Sequence, residues 1–158
     1  MSEPSETTIK YRMRVGIIQY LETAAFPELQ QEYEKGLRDA QAPGCVPTEM
    51  ICQWEDVFRI EDAVWYSEPG FSADEQRAIL NFHRVWDQVV EAPPDPMPPD
   101  IDDLLGTPIW QRLIEAAGEA KGWLFMLLLG LAIPSFHALV VTMVAIVRYC
   151  FWVKIPRY

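Results

Sequence analysis

The sequence predicts a mainly α protein: a small helical domain, a Pro-rich linker and one C-terminal transmembrane helix. Three observations carry this. Apolar residues recur at spacings of 3 and 4 through most of residues 10–121, as on one face of a helix. Residues 92–100, APPDPMPPD, hold five prolines in nine positions. Residues 122–147, GWLFMLLLGLAIPSFHALVVTMVAIV, run for twenty-six positions without a formal charge, and fourteen of them are Leu, Ile, Val or Phe. The chain divides accordingly into a disordered start (1–9), an acidic helical domain (10–91), the linker (92–100), a juxtamembrane amphipathic helix (101–121), the membrane helix (122–147) and a short basic and aromatic tail (148–158).

At the N-terminus, MSEPSETT is polar and acidic, with neither the basic nor the apolar segment of a secretory signal peptide. In Ile9–Ala25, Ile9, Tyr11, Met13, Val15 and Ile17 alternate as in a strand, whereas Met13, Ile17, Tyr20, Leu21 and Ala24 fit a helix face. The second period persists, so a helix from about residue 10 is expected. Phe26-Pro27 restarts a helix with proline in its first turn, with Leu29, Tyr33 and Leu37 inward, to about Ala40. Residues 41–47 form a Pro/Gly loop, and Thr48–Phe58 a short helix with Ile51, Trp54, Val57 and Phe58 inward.

Residues 59–71 read as a long ordered loop. Ser72-Ala-Asp-Glu75 is a capping box, in which Ser72 takes the Glu75 N–H and the Glu75 carboxylate returns to the Ser72 N–H. It opens a helix over about 73–91, with Ile79, Phe82, Trp86 and Val89 inward and Arg77, Asn81, Arg84, Gln88 and Glu91 wet. The proline stretch forms a stiff extended spacer of about 28 Å. Thr107-Pro108 starts the next helix, 108–121, with Ile109, Trp110, Leu113, Ile114 and Ala117 on one side. Gly118 and Gly122 make a flexible join to the apolar run.

About 20 helical residues cross a bilayer core, and the fourteen large apolar side chains contribute roughly −4 to −8 kcal/mol to insertion. Pro134 bends such a helix. Ala132, Ser135, Ala138, Thr142 and Ala145 share one face and would let a second copy of the helix approach. The alternatives are that small residues are simply common in spans, and that the run turns at Pro134-Ser135 and lies in one leaflet.

The formal charge of −10 is unevenly placed. Residues 1–121 carry ten Lys/Arg against twenty-three Asp/Glu, a net −13, while residues 122–158 carry Arg148, Lys154 and Arg157 and no acid. An acidic domain is repelled by nucleic acid and anionic headgroups, and the balance permits a basic protein partner. Cys45, Cys52 and Cys150 match no zinc or redox spacing, so reduced thiols are expected.

Motifs that carry chemistry are sparse. His83 and Asp87 stand four apart on one helix and could form an acid–base or metal pair, but the expected role of His83 is structural and hydrogen-bonded. The pairs Glu55-Asp56 and Glu61-Asp62 lack the glycine and spacing of a calcium loop. His137, inside the apolar run, is expected to hydrogen-bond within a helix pair. Neither a metal nor a cofactor is expected. Trp54, Trp86 and Trp110 occupy inward helical positions, leaving Trp65, beside Tyr66, as an exposed anchor. Trp123 and the group Tyr149, Trp152 and Tyr158 suit the two membrane interfaces.

QWEDVF at 53–58, WYSEPGFSADEQ at 65–76 and FHRVWD at 82–87 resemble small acidic bacterial proteins of uncharacterised function, over about residues 10–120. The resemblance implies no activity. Its members end in a soluble helix and tail, from which the apolar end here departs.

The function expected is that of a single-pass membrane-tethered interaction or regulatory protein, of an immunity-like or assembly type, with its N-terminal domain in the cytoplasm. Glu55, Asp56, Glu61, Asp62, Trp65 and Tyr66 would meet a basic protein partner. Two other classes compete: an enzyme acting on a small molecule through His83 and nearby carboxylates, and a soluble protein whose apolar end is buried in a dimer.

Overall fold

A computed structural model describes residues 3–128 of the chain except Pro43, Pro94 and Asp95, with side chains through Phe125. Among the described residues every regular element is helical. The elements are α1 (Glu6–Ala25), α2 (Pro27–Asp39), α3 (Val46–Val57), a 3₁₀ turn (Ile60–Trp65), α4 (Ala73–Glu91), α5 (Ile101–Leu105) and α6 (Pro108–Leu128).

Residues 1–125 form one compact unit around one core. Helix α1 packs on α2 and α3, and α5 lies against α2 and α3. Aromatic rings fill the centre. Trp54 of α3 meets Phe82 of α4 edge-on at 4.7 Å, Tyr20 of α1 at 5.0 Å and Phe58 in a stack at 5.1 Å. Ring pairs in these geometries add to what burial alone contributes.

Helix α1 starts earlier than residue 10. The Ser5 side chain accepts from the Thr8 N–H, so the first turn is already capped at Glu6. The strand alternation over Ile9–Ile17 gives way to the helical period, with Ile17, Tyr20, Leu21 and Ala24 buried. Pro27 stands in the first turn of α2 and Ser72 and Glu75 form the capping box of α4, both as the sequence predicts. Leu29, Tyr33 and Leu37 are only half-buried. The residue that α2 sinks fully is Gln30, which donates to the Ala24 carbonyl and accepts from the Trp110 indole, both at 2.9 Å.

The largest correction concerns residues 92–125. The described part of the proline stretch is no spacer, because Met97 packs against the core and α5, which the sequence did not reveal, buries Ile101 and Leu104. The Ile101 N–H donates to Glu34 of α2 at 2.8 Å, and Asp100 pairs with Arg38. Helix α6 is likewise part of the domain: Trp110, Leu113, Ala117, Ala120 and Leu124 are all buried. A helix with an apolar stripe this wide lowers its free energy by packing on the nearest core.

Gly118 and Gly122 lie inside α6 and form no joint. Leu124, expected to be in the membrane helix, is fully buried in the domain core. No helix among the described residues is long and apolar enough to cross a membrane. The proposed packing face of Ala132, Ser135, Ala138, Thr142 and Ala145, together with Pro134, His137 and the tail, lies outside the described residues.

Candidate docking surface

Phe58, at the end of α3, and Tyr66, just after the 3₁₀ turn, are both buried, and their rings meet at 4.7 Å. Between them the chain bulges outward, and the turn Ile60–Trp65 has no buried residue. Ile60 is 48 %, Val64 74 % and Trp65 40 % exposed. Glu61 and Asp62 are exposed on the same turn, with Glu55 and Asp56 exposed on the last turns of α3. Among the described residues none of these four carboxylates takes part in an ion pair.

Tyr66, expected beside Trp65 among the partner contacts, is buried. Its hydroxyl donates to the Val57 carbonyl at 3.1 Å and accepts from the Arg59 N–H at 3.3 Å, which closes the base of the bulge. Burial pushes its phenol pKa up, and the Asp62 charge adds to that, while the Arg59 N–H pulls it down. Trp65 is exposed as expected, and the other large apolar side chains exposed on the turn are Ile60 and Val64.

The turn is fastened from behind. Gln76 of α4 donates to the Ala63 carbonyl at 3.1 Å, and Ser67 donates to the Val64 carbonyl at 2.7 Å. The buried Lys10 reaches from α1 to Ser67 Oγ at 3.3 Å and the Glu68 carbonyl at 2.9 Å. Gly70 lies so close on α1 that a Cβ there would stand 2.7 Å from Lys10 Cβ. That approach lets its carbonyl accept from Arg14 at 3.1 Å. Arg14 also pairs with Glu75 and donates to the Leu124 carbonyl at 3.1 Å, so one buried guanidinium ties α1, α4 and α6 together. Buried charges persist only when paired in this way. Sequence pattern gave no sign of Lys10 and Arg14, which occupy apolar-facing positions of α1.

Arg14 also changes the charge map. Of the nine acids from Asp39 to Glu75, Glu75 is paired with Arg14 inside the domain and Asp74 with Arg77 at its surface, which leaves seven. Arg12 of α1 joins Asp56, Arg59 and Asp62 around a groove of about 340 Å³ beside the turn, so the negative field is most open at Glu55 and Glu61.

His83 is placed by packing. Its side chain is 13 % exposed, its Nδ1 accepts from the Trp54 indole N–H at 3.1 Å, and its ring stacks on Trp86 at 5.6 Å. Nε2 stands 3.8 Å from the Asp87 carboxylate, beyond hydrogen-bond reach. Among the described residues no three of His, Cys, Asp and Glu come together to hold a metal ion. Cys45 and Cys52 are free thiols, and Cys150 lies outside the described residues.

Comparison with family models, curated proteins and solved structures gives no match to this chain.

Proposed function

We propose that the chain is a membrane-tethered interaction protein, of immunity-like or assembly type, whose 3₁₀ turn receives a basic protein partner. The observation that carries this is the turn itself: Ile60, Val64 and Trp65 stand in solvent beside four exposed carboxylates, of which Asp56 and Asp62 share a groove with Arg12 and Arg59 while Glu55 and Glu61 lie open. What sets the turn apart from the other exposed apolar side chains is that three of them fall within six residues of one turn, next to unpaired carboxylates. Apolar anchors ringed by charge are how interfaces combine affinity with steering.

The tether rests on what remains of the uncharged run once the domain has taken its share. Residues 126–147 are twenty-two positions without a charge, about 33 Å as a helix against a hydrocarbon core of about 30 Å. The positive-inside rule favours a cytoplasmic tail through Arg148, Lys154 and Arg157. Moving a folded acidic domain across first is the larger barrier, so the domain is assigned to the cytoplasmic side.

Two measurements test the reading in its two parts. After alkaline carbonate washing the protein should remain in the membrane pellet, and release into the soluble fraction would transfer the case to an apolar end buried in a dimer. A partner recovered from detergent-solubilised membranes should bind more slowly as salt rises from about 0.05 to 0.5 M, because screening shortens the reach of the field. Glu61→Lys with Asp62→Lys should slow association further. Binding indifferent to both would move the interface away from the turn.

A further inference from the structure

Arg12, Asp56, Arg59 and Asp62 line the groove of about 340 Å³ beside the docking turn, two charges of each sign. Among the described residues none of the four takes part in an ion pair. Opposite charges that face one groove without closing on each other keep their hydrogen-bonding capacity for a ligand. The groove does not end at the turn. A second one, of about 310 Å³, shares Gly16, Asp56 and Val57 with it and continues between α1 and α3 past Gln19 and Gln53 to Thr23. Gly16 keeps the joint open, because it has no side chain to place where the two meet. Apart from Asp56 the far half is uncharged. Gln53 donates to the Tyr33 hydroxyl at 2.9 Å and Thr23 to the Gln19 carbonyl at 3.2 Å, so the side-chain oxygens of Gln53 and Thr23 can each still accept.

We propose that this groove receives an extended segment of the protein partner that carries one basic and one acidic side chain. The inference rests on the docking reading above and names the part of the partner that lies beside the turn. From Arg12 to Thr23 the groove follows about 16 Å of α1, the reach of about five extended residues. The four charged residues are exposed, so a small molecule would stay largely in water there, whereas small-molecule sites enclose their ligands. A docked helix needs an apolar channel, and this lining is mostly polar. Asp56 and Asp62 receive the basic side chain and Arg12 and Arg59 the acidic one, in charge-assisted hydrogen bonds. Gln53 and Thr23 accept from backbone N–H groups of the segment. A purely basic segment would set its charges against Arg12 and Arg59, and a purely acidic one would be repelled by the −13 of residues 1–121. The groove therefore selects a mixed sequence, a choice the acidic turn alone would not make.

The test uses the full chain in micelles of an uncharged detergent, with short amidated peptides carrying a neutral fluorophore read by anisotropy. One peptide alternates lysine and glutamate between serines, a second has lysine at all those positions, and a third has glutamate. The mixed peptide should bind about tenfold more tightly than either of the others, which is what two exposed ion pairs are worth. A Cβ at Gly16 would stand 3.5 Å from Val57 Cγ1, an ordinary contact, so Gly16→Leu fits the fold and fills the groove. With circular dichroism unchanged, it should weaken the mixed peptide about tenfold. Arg12→Gln with Arg59→Gln should erase the preference for the mixed peptide over the lysine one. Glu61→Lys with Trp65→Ala, on the turn and outside the groove, should leave that preference in place. A lysine peptide that binds as tightly as the mixed one, and is weakened by the turn variant but not by Gly16→Leu, overturns the groove and leaves the turn standing. A mixed peptide indifferent to Gly16→Leu overturns the groove as well. Binding of none of the peptides also overturns the groove, and the turn then stands or falls by the salt dependence of the recovered partner.

Discussion

The indole N–H of Trp54 donates to Nδ1 of His83 across 3.1 Å, between α3 and α4. With Nδ1 accepting, a neutral ring carries its proton on Nε2, the nitrogen that faces Asp87. Both are placed by the core, with the His83 ring set against Phe58 at 4.8 Å and Trp86 at 5.6 Å. His83→Ala should leave a buried indole donor unsatisfied and cost about 1–3 kcal/mol in denaturant unfolding. His83→Gln keeps an acceptor in reach and should cost less. If His83→Gln instead removes a cellular phenotype while the melting temperature holds, the enzyme reading moves ahead.

Trp86 and Trp110 look alike in the sequence and differ in the fold. Trp110 Nε1 donates to Gln30, whereas Trp86 Nε1 is buried with no partner among the described residues. Trp86→Phe removes an unsatisfied donor and should be the milder change. Trp110→Phe orphans the Gln30 oxygen and should cost about 1–3 kcal/mol more by the same measurement. Trp86→Ala should still cost about 3–5 kcal/mol, through the cavity it leaves.

Removing one member of the buried pair Arg14–Glu75 strands the other. Arg14→Met should destabilise by about 3–5 kcal/mol. Adding Glu75→Gln should recover part of that loss, because Gln keeps the capping box without the charge. A double-mutant cycle that came out additive would mean that the two groups do not interact.

Alkaline pH should unfold the domain through its buried phenols. Burial raises the pKa of Tyr20 far above the ordinary value near 10, and that of Tyr66 as well. Once pH passes about 10 the unfolded chain releases these protons and the folded chain keeps them, so the unfolded state binds fewer protons and stability falls. Tyr20→Phe should lose about 1 kcal/mol at neutral pH, with its bond to the Met50 carbonyl, and should flatten the alkaline decline. An unchanged alkaline slope in this variant would assign the decline elsewhere.

The two aromatic residues of the docking turn should separate cleanly. Trp65→Ala should leave the melting temperature nearly unchanged and speed dissociation of a captured partner. Tyr66→Phe removes the hydroxyl that bonds Val57 and Arg59 and should lower stability by about 0.5–1.5 kcal/mol. Its effect on binding should come only through that loss.

Local signals carried far along this chain. The capping box at Ser72, the proline in the first turn of α2 and the 3, 4, 3 spacing of Ile79, Phe82, Trp86 and Val89 each specify structure within one or two helical turns. Each is found where the residues predict it, and with them the mainly α class and the inward tryptophans Trp54, Trp86 and Trp110. These features need no distant partner, because a cap or an amphipathic stripe is decided by neighbours three or four positions away.

The tertiary structure decided what depends on residues far apart in sequence. It took α5 and α6 into the domain, since the apolar faces of Leu104, Trp110 and Leu124 had a core within reach. It turned Tyr66 inward and left Ile60 and Val64 outside, a choice made by the Val57 carbonyl and the Phe58 ring. It sank Lys10 and Arg14, whose hydrogen-bond partners lie 56 to 110 residues away, beside the local Lys10–Glu6 ion pair. A buried charge is tolerable only where carboxylates and carbonyls converge on it, and that convergence exists only once the helices have packed.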